Sequence, residues 1–206
     1  ARPFGWLDVL ASTYRRESND FELPDGSRLA DSSQSNESHL VKVDVFGRYA
    51  ELAVTWRQAD NQSLEPFDAT GGGPGVGGTV RRTSRETSTA LNGSFVPGPE
   101  WINITGTLAR TLKTVIDEDS AIAGQGTDTI DYDVLTAGLR NAFSIDAGPF
   151  KLGLELGAQL NVEDRVSIRE NARGRLENES QPSGVKRNLG LFVEPSIALG
   201  RLTVTG

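Results

Sequence analysis

The 206-residue chain contains no cysteine, no methionine and a single histidine, His39. The lack of cysteine excludes disulfides and thiolate chemistry, and a single histidine excludes metal sites built from several imidazoles. The formal net charge of −7 argues against a general nucleic-acid-binding role. Because the mean hydropathy is −0.35 and no long apolar run occurs, the sequence predicts no transmembrane helix.

One segment, FKLGLELGAQLNVED (150–164), alternates in polarity over its whole length. Every second residue from Phe150 to Val162 is apolar, and the residues between them are charged, amide-bearing or glycine. A period of two is typical of a β-strand, because successive side chains point to opposite faces. The segment exceeds the roughly five to six residues usual in soluble strands and the roughly nine to eleven that cross a membrane. Taken alone, it fits a large soluble sheet equally well.

The same alternation recurs in pairs that are joined by short turns. DAGPF joins YDVLTAGLRNAFSID to the segment above, VPGPE joins TSTALNGSF to WINITGTLART, and LVKVDVF runs directly into GRYAELAVTW. Asn141 interrupts one apolar face, and Arg110 interrupts another about ten residues above its turn, where a membrane strand would leave the hydrocarbon. Pro195 in the last segment indicates an edge or a bulge. The sequence therefore predicts a series of antiparallel hairpins.

Long polar stretches separate these hairpins. They cover residues 17–38, 58–86, 117–130 and 164–186. Structureless loops beyond about fifteen residues are uncommon in soluble domains. Alternating short and long connections are instead typical of an outer-membrane barrel, which has short periplasmic turns and longer extracellular loops.

The aromatic residues cluster near the predicted strand ends. Trp and Tyr favour the membrane–water interface, because the ring is apolar while its N–H or O–H is hydrated. A soluble sandwich would concentrate these rings in mid-strand. The sequence predicts an aromatic girdle formed by Trp6, Phe46, Tyr49, Trp56, Phe95, Trp101, Tyr132 and Phe150.

The segments FSIDAGPFKLGLELGAQL and SFVPGPEWINITGTLA resemble hairpins of bacterial outer-membrane β-barrel proteins, in the general style of the small eight-stranded kind. The resemblance covers most of the chain and includes no catalytic or binding motif. It implies an all-β, antiparallel up-and-down transmembrane barrel of about eight strands. Residues 1–206 would form one domain in the outer membrane of a Gram-negative bacterium, in contact with outer-membrane lipid and lipopolysaccharide. The final GRLTVTG resembles the start of another strand, so an excerpt of a larger porin-like barrel is the alternative.

If the apolar faces contact lipid, the opposite faces line the lumen and carry charges of both signs. Because an unpaired buried charge is costly, we expect cross-strand pairs between Lys151 and Asp146 and between Arg140 and Glu155, or a network that joins them. In an eight-stranded barrel these side chains would plug the lumen, whereas a larger barrel would hold a water-filled channel. The predicted network comprises Lys42, Asp44, Glu51, Arg140, Asp146, Lys151, Glu155 and Glu194.

No pattern in the sequence predicts an enzyme, a cofactor or a metal. The loop GGPGVGGT resembles a phosphate-binding loop, but Gly78 occupies the position of its essential lysine. Ser38 and His39 are adjacent on a strand and point to opposite faces, so they cannot easily form a catalytic pair. Acidic clusters at 117–119 and 128–133 lack the spacing of a dedicated Ca²⁺ loop.

We therefore expect a barrel with a structural, surface-interaction or passive pore role, whose long loops offer the surface for a protein partner. Two alternatives stay open. One is an outer-membrane, lipid-modifying hydrolase, and the other is a soluble β-rich adhesin or surface module.

Overall fold

A computed structural model describes residues 6–28, 32–65, 80–98, 101–120, 126–171, 174–177, 183–199 and 202–205. Within these ranges all regular structure is β-strand, and no helix long and apolar enough to cross a membrane is found. The strands are β1 (Leu7–Ser18), β2 (Gln34–Phe46), β3 (Ala50–Glu65), β4 (Val80–Phe95), β5 (Ile104–Ser120), β6 (Gly126–Ala147), β7 (Phe150–Asn171), β8 (Gly174–Glu177), β9 (Gly184–Leu199) and β10 (Leu202–Thr205).

The strands form one antiparallel sheet in which sequence neighbours are also spatial neighbours. The order is β1-β2-β3-β4-β5-β6-β7-β9-β10, and the short β8 pairs with β7 beside this path. The predicted all-β, up-and-down antiparallel fold is confirmed. The closed barrel of about eight strands is not, because nine strands follow one another along the path and the outermost described strands, β1 and β10, do not pair.

The segment 150–164 lies in β7, which forms the longest hairpin of the sheet with β6. Ala147 pairs with Phe150, so the connecting turn is only Gly148 and Pro149. Gly148 has a φ of 65°, and glycine at the first central position is typical of the type II′ turns that suit a twisted hairpin. This tight turn fixes the register of both strands.

The register gives the sheet two faces of different polarity, since opposite residues on antiparallel strands share a face. We call the face that carries Leu152, Leu154 and Leu156 the apolar face, and the face that carries Lys151 and Glu155 the polar face. Pairing also assigns the two faces of β1, whose sequence LDVLASTYRRES does not alternate regularly in polarity. The residues of β1 that lie opposite Val45, Val43 and Val41, and therefore on the apolar face, are Leu7, Val9 and Ala11.

The short turns are staggered along the strands. One row of partners joins Val45 to Leu52 and, across the sheet, Leu139 to Ala158. Beside Val45 the chain turns after the next residue, Phe46, whereas β6 continues beyond Leu139 to Ala147. If the turns lie at one level, the strands must be tilted, as they are by about 35–45° in barrels.

Much of the polar sequence predicted as long connections is strand. Strands extend into all four stretches from both sides. The residues wrongly predicted as connections are 17–18, 34–38, 58–65, 80–86, 117–120, 126–130, 164–171, 174–177 and 184–186. A strand shows alternating apolar residues only where one of its faces is shielded from water. Farther along, the backbone ladder continues without that alternation, so polarity does not reveal it. The loop GGPGVGGT lies outside the described residues.

The apolar face is not covered by any other part of the described chain. Leu189 is 71% exposed and Leu191 is 77% exposed, whereas the buried hydrophobic side chains of the described residues are Ala59, Val80 and Ile130. A soluble sandwich would pack a second sheet against such a face. The fold therefore leaves this face for an apolar surrounding.

Candidate functional site

The predicted pair of Arg140 and Glu155 is present on the polar face. Arg140 Nη1 donates to Glu155 Oε1 at 3.2 Å, and its Nε donates to Thr105 Oγ1 at 2.7 Å. Glu155 lies diagonally across from Arg140, because Arg140 is directly opposite Gly157. The guanidinium is 55% exposed and the carboxylate 28% exposed, so both ends of the pair remain partly hydrated.

The predicted pair of Lys151 and Asp146 is not formed. The two residues are direct partners in the register, yet the described structure contains no ion pair between them. Both are exposed beside the turn, where hydration competes with a weak surface attraction. Glu155 also faces Glu194 across β9, so like charges oppose each other where we expected a joined network.

All eight predicted charged residues lie on the polar face, but they form two separate groups. On β2 and β3, Lys42 Nζ lies 2.9 Å from Asp44 Oδ2, and Glu51 has a contact of its own. The second group lies on β6, β7 and β9 and comprises Arg140, Asp146, Lys151, Glu155 and Glu194.

A surface of mostly neutral side chains, which the sequence reasoning missed, lies between the two groups and is bordered by Asp44, Glu51 and Arg140. Side-chain hydrogen bonds link its strands: Thr107 Oγ1 donates to Asn92 Oδ1 at 2.9 Å, and Asn161 Nδ2 donates to Thr136 Oγ1 at 3.2 Å. Its cavity has a volume of about 560 Å³. The side chains of the polar face that line it are Asp44, Phe46, Glu51, Ala53, Asn92, Ser94, Thr105, Thr107, Thr136, Arg140, Gln159 and Phe192. The signal in the sequence is the Ser, Thr, Asn and Gln residues that alternate with the apolar positions.

Phe192 is one of two aromatic residues that line this cavity, with Phe46, and it lies over Gly157. A Cβ built on Gly157 would stand 2.3 Å from Phe192 Cζ, so the ring occupies the space that any side chain at position 157 would take. The two residues are direct partners between β7 and β9. Glycine at this position therefore leaves room for the ring beside the backbone of β7.

The predicted aromatic girdle is only partly compatible with the two faces. Phe46 and Tyr132 share the polar face with Asp44 and Arg140, so they cannot belong to a girdle on the apolar face. Both residues were assigned to the girdle because they lie near strand ends, but the alternation of side chains points them to the polar face. The residues near the short turns that are exposed are Trp6, Tyr49, Phe95, Trp101 and Phe150.

Two further aromatic residues of the predicted girdle have identifiable neighbours. Arg48 lies over the ring of Tyr49, with Cζ 4.9 Å from the ring centroid, in a cation–π contact. Trp56 is opposite Val41 on the apolar face, farther along the strands than Tyr49.

Asn141, which interrupts the apolar face, has a structural role at the β4–β5 turn. Its Oδ1 accepts from the Asn103 backbone N–H at 2.9 Å, and its Nδ2 donates to the Trp101 carbonyl oxygen at 3.2 Å. Backbone groups that enter an apolar surrounding without partners are costly. The amide of Asn141 therefore satisfies two backbone groups just before β5 begins.

His39 lies on the apolar face between a hydroxyl and a carboxylate. Its Nδ1 lies 2.9 Å from Thr13 Oγ1, and its Nε2 lies 3.1 Å from Glu37 Oε1. Ser38, its sequence neighbour, belongs to the other face, as alternation predicts. The order hydroxyl, imidazole, carboxylate is the one that hydrolytic triads use.

Charged residues form pairs on the parts of β4, β5 and β6 that lie away from the short turns. Arg110, the second interruption, donates from Nε to Asp133 Oδ1 at 2.9 Å and from Nη2 to Asp133 Oδ2 at 2.6 Å. On the polar face, Arg82 Nε donates to Asp117 Oδ1 at 2.7 Å, and Asp117 is the direct partner of Asp128.

These pairs account for the acidic clusters noted in the sequence. The fold brings Asp117 and Asp128 together, but Arg82 binds the first and Arg169 Nη2 lies 3.5 Å from Oδ2 of the second. In the described part of the chain, no group of three or more His, Asp or Glu residues is placed to hold a metal ion.

The connection between β1 and β2 folds into a hydrogen-bonded turn. The backbone N–H of Ser27 donates to Asp25 Oδ1 at 2.9 Å, and its hydroxyl donates to the same oxygen at 2.6 Å. The Ser27 hydroxyl, followed by the N–H, lowers the pKa of the Asp25 carboxyl, because both bonds favour the charged form. Local polar contacts therefore stabilise residues 25–27 of this connection.

Comparison with solved structures identifies what this sheet is similar to. The outer membrane transporter YddB from Escherichia coli matches with a TM-score of 0.67 and 13% identity, over 98% of this chain and 31% of that one. The sheet is similar in fold to part of an outer-membrane barrel. The copper transporter OprC matches with a TM-score of 0.62 and 14% identity, over 93% of this chain and 30% of that one.

The chain therefore spans about a third of the length of each transporter. Identities this low show a shared fold only. No protein-family model and no curated protein matches the sequence.

Proposed function

We propose that this chain forms part of the wall of an outer-membrane transport barrel, with its apolar face in contact with lipid and its polar face lining the passage. The observation that carries the proposal is the exposed apolar face, on which side chains such as Leu191 have no protein cover. Outer-membrane strands alternate apolar residues toward lipid with polar residues toward the lumen. Similarity to the barrels of two transporters supports the same assignment.

Because the sheet is open, we infer that strands other than the described ones complete the barrel. On one side β1 has a free edge, and on the other β9 pairs with β10 only from Ser196 to Leu199. Unpaired edges expose backbone N–H and C=O groups, which cannot persist in lipid. We infer that strands of a longer protein pair with both edges, as the length of YddB also suggests.

We propose a non-enzymatic passage and not a solid plug. Arg140 and Glu155 are partly exposed, and a cavity of about 560 Å³ lies beside them on the polar face. A barrel with more than about eight strands leaves room for such an interior. The connections at the far end of the strands are the proposed surface for a protein partner, because loops on a rigid scaffold usually carry recognition.

Single-cysteine labelling tests the orientation of the two faces. Because the chain has no native cysteine, Leu152→Cys and Leu191→Cys would report on the apolar face, and Gln159→Cys on the polar face. In the outer-membrane-embedded protein, a hydrophilic maleimide should modify only the Gln159→Cys variant. Equal labelling of all three variants would show that both faces meet water, and the proposal would fail.

A lipid-modifying hydrolase is the second candidate, because Thr13 Oγ1 is hydrogen-bonded to His39 Nδ1 and Glu37 Oε1 lies 3.1 Å from the other ring nitrogen. In such a reaction, Thr13 Oγ1 would attack an ester carbonyl while its proton passes to His39 Nδ1. Hydrolysis also needs donors for the oxyanion, and the backbone N–H groups nearest Thr13 lie on the outer edge of β1, which we infer to pair with a further strand of the longer protein. This pairing favours the non-enzymatic role.

A lipase assay separates these two candidates. We expect the embedded protein to release no fatty acid from phospholipid vesicles above the background of the His39→Ala variant. Release that disappears in both Thr13→Ala and His39→Ala would establish the hydrolase instead.

A further inference from the structure

We infer that the cavity on the polar face binds a neutral, hydroxyl-rich solute of saccharide type. This inference rests on the proposed function, because it names the class of solute that the passage would accept. The cavity lies between the charged groups of β2–β3 and β6–β9. Its volume of about 560 Å³ falls within the roughly 300–1,000 Å³ of known small-molecule sites.

The charged side chains that line the cavity already have partners. Asp44 is paired with Lys42, Glu51 has a contact of its own, and Arg140 binds Glu155 and Thr105. A charged solute would lose hydration without meeting an unpaired opposite charge, which is costly. The lining therefore disfavours anions and cations alike.

The hydrogen-bonding groups that remain are neutral. Within the described structure, the side chains of Gln159 and Ser94 have no protein partner, and both line the cavity. An amide supplies two donors and an acceptor, and a hydroxyl supplies both functions. Asn92 uses its Oδ1 to accept from Thr107, which leaves its N–H groups for a ligand. Groups that donate and accept in close succession match the hydroxyls of a sugar.

Phe192 completes this set of contacts. It is 41% exposed, and its ring lies against Gly157 with no side chain beneath it. The negative face of an aromatic ring attracts the polarised C–H groups that a sugar presents on one side. An exposed ring beside neutral donors and acceptors can therefore contact the C–H groups of a saccharide while those polar groups bind its hydroxyls.

Three trisaccharides of the same length would test the inference on the full, membrane-extracted protein. The probes are neutral triacetylchitotriose, cationic chitotriose and anionic trigalacturonate, measured by isothermal titration calorimetry. We expect the neutral probe to bind and the charged probes to bind at least about tenfold more weakly, since each would bury a charge without a partner. Equal or tighter binding of a charged probe, or no binding of any probe, would overturn the inference.

Variants locate the binding on this cavity. Gln159→Ala and Phe192→Leu should each weaken triacetylchitotriose binding by about three- to tenfold, the usual effect of one lost polar or ring contact. Leu189→Ala, on the apolar face of β9, is the matched control and should leave the affinity unchanged. If neither polar-face variant changes the affinity, the saccharide binds elsewhere and the inference is wrong.

The cysteine-labelling experiment distinguishes this failure from failure of the proposed function. Suppose that labelling is restricted to Gln159→Cys, but that the three trisaccharides bind equally well or do not bind. This result would refute the neutral-solute inference and leave the proposal of a barrel wall intact. Circular dichroism of Phe192→Leu would verify its strand content, and Gln159→Ala, which alters an exposed amide, provides the second independent variant.

Discussion

Phe192 lies across Gly157 so closely that a Cβ on Gly157 would stand 2.4 Å from Phe192 Cε1 and 3.1 Å from the Leu139 carbonyl oxygen. The ring can rotate away, but the backbone oxygen cannot. We predict that Gly157→Ala displaces the ring and costs about 1–3 kcal/mol of unfolding free energy, as overpacking usually does. Urea titrations in lipid vesicles would measure the loss.

Gly138→Ala is the matched control, because the nearest atom to a Cβ on Gly138 is the Ala158 carbonyl oxygen at 4.0 Å. Phe192→Ala should recover part of the loss when combined with Gly157→Ala. Equal stabilities for Gly157→Ala and Gly138→Ala would contradict the close packing of the ring.

The hydrogen-bonded pair of Arg140 and Glu155 should contribute little stability. We expect a coupling of about 0.5–1 kcal/mol from a double-mutant cycle with Arg140→Gln and Glu155→Gln, because both groups are partly hydrated. The coupling should shrink in high salt. A coupling of several kcal/mol would indicate a sealed, dry interior and would support a plugged lumen.

Asn141 should be more stabilising than an apolar residue, although it lies on the apolar face. Asn141→Leu removes the bonds to Asn103 and Trp101, and we expect a cost of about 1–3 kcal/mol for the unsatisfied backbone groups. Ala137→Leu, on the same face of β6, is the control and should cost little. The measurement is again the unfolding free energy in vesicles, and a gain for Asn141→Leu would contradict the capping role.

A charge placed on the apolar face should be strongly unfavourable. Leu154→Arg is expected to cost about 2–4 kcal/mol if Leu154 lies near the bilayer midplane. Gln159→Arg, on the polar face of the same strand, should cost much less, because its guanidinium can reach water. Similar costs for the two variants in lipid vesicles would refute lipid contact by the apolar face.

The sequence alone determined the local properties of this protein. Alternation from Phe150 to Val162 established a strand with two unlike faces, because side chains on a strand alternate by geometry. The tight turn at Gly148 then set the register of β6 on β7, which was enough to predict Arg140 beside Glu155. The same local rule placed Ser38 and His39 on opposite faces of their strand, as the register shows.

Tertiary structure decided what depends on distant partners. Polar residues in β5 and the upper part of β7 do not alternate in hydropathy, so only the backbone ladder reveals them as strand. Phe192 meets Gly157, and His39 meets Thr13, through pairings of strands that no local pattern specifies. Whether the sheet closes depends on strand number and stagger, which are properties of the whole barrel. The register of a strand depends on its neighbour and is therefore a non-local property. The cavity between the two charged groups forms because seven strands, β2 to β7 and β9, lie side by side.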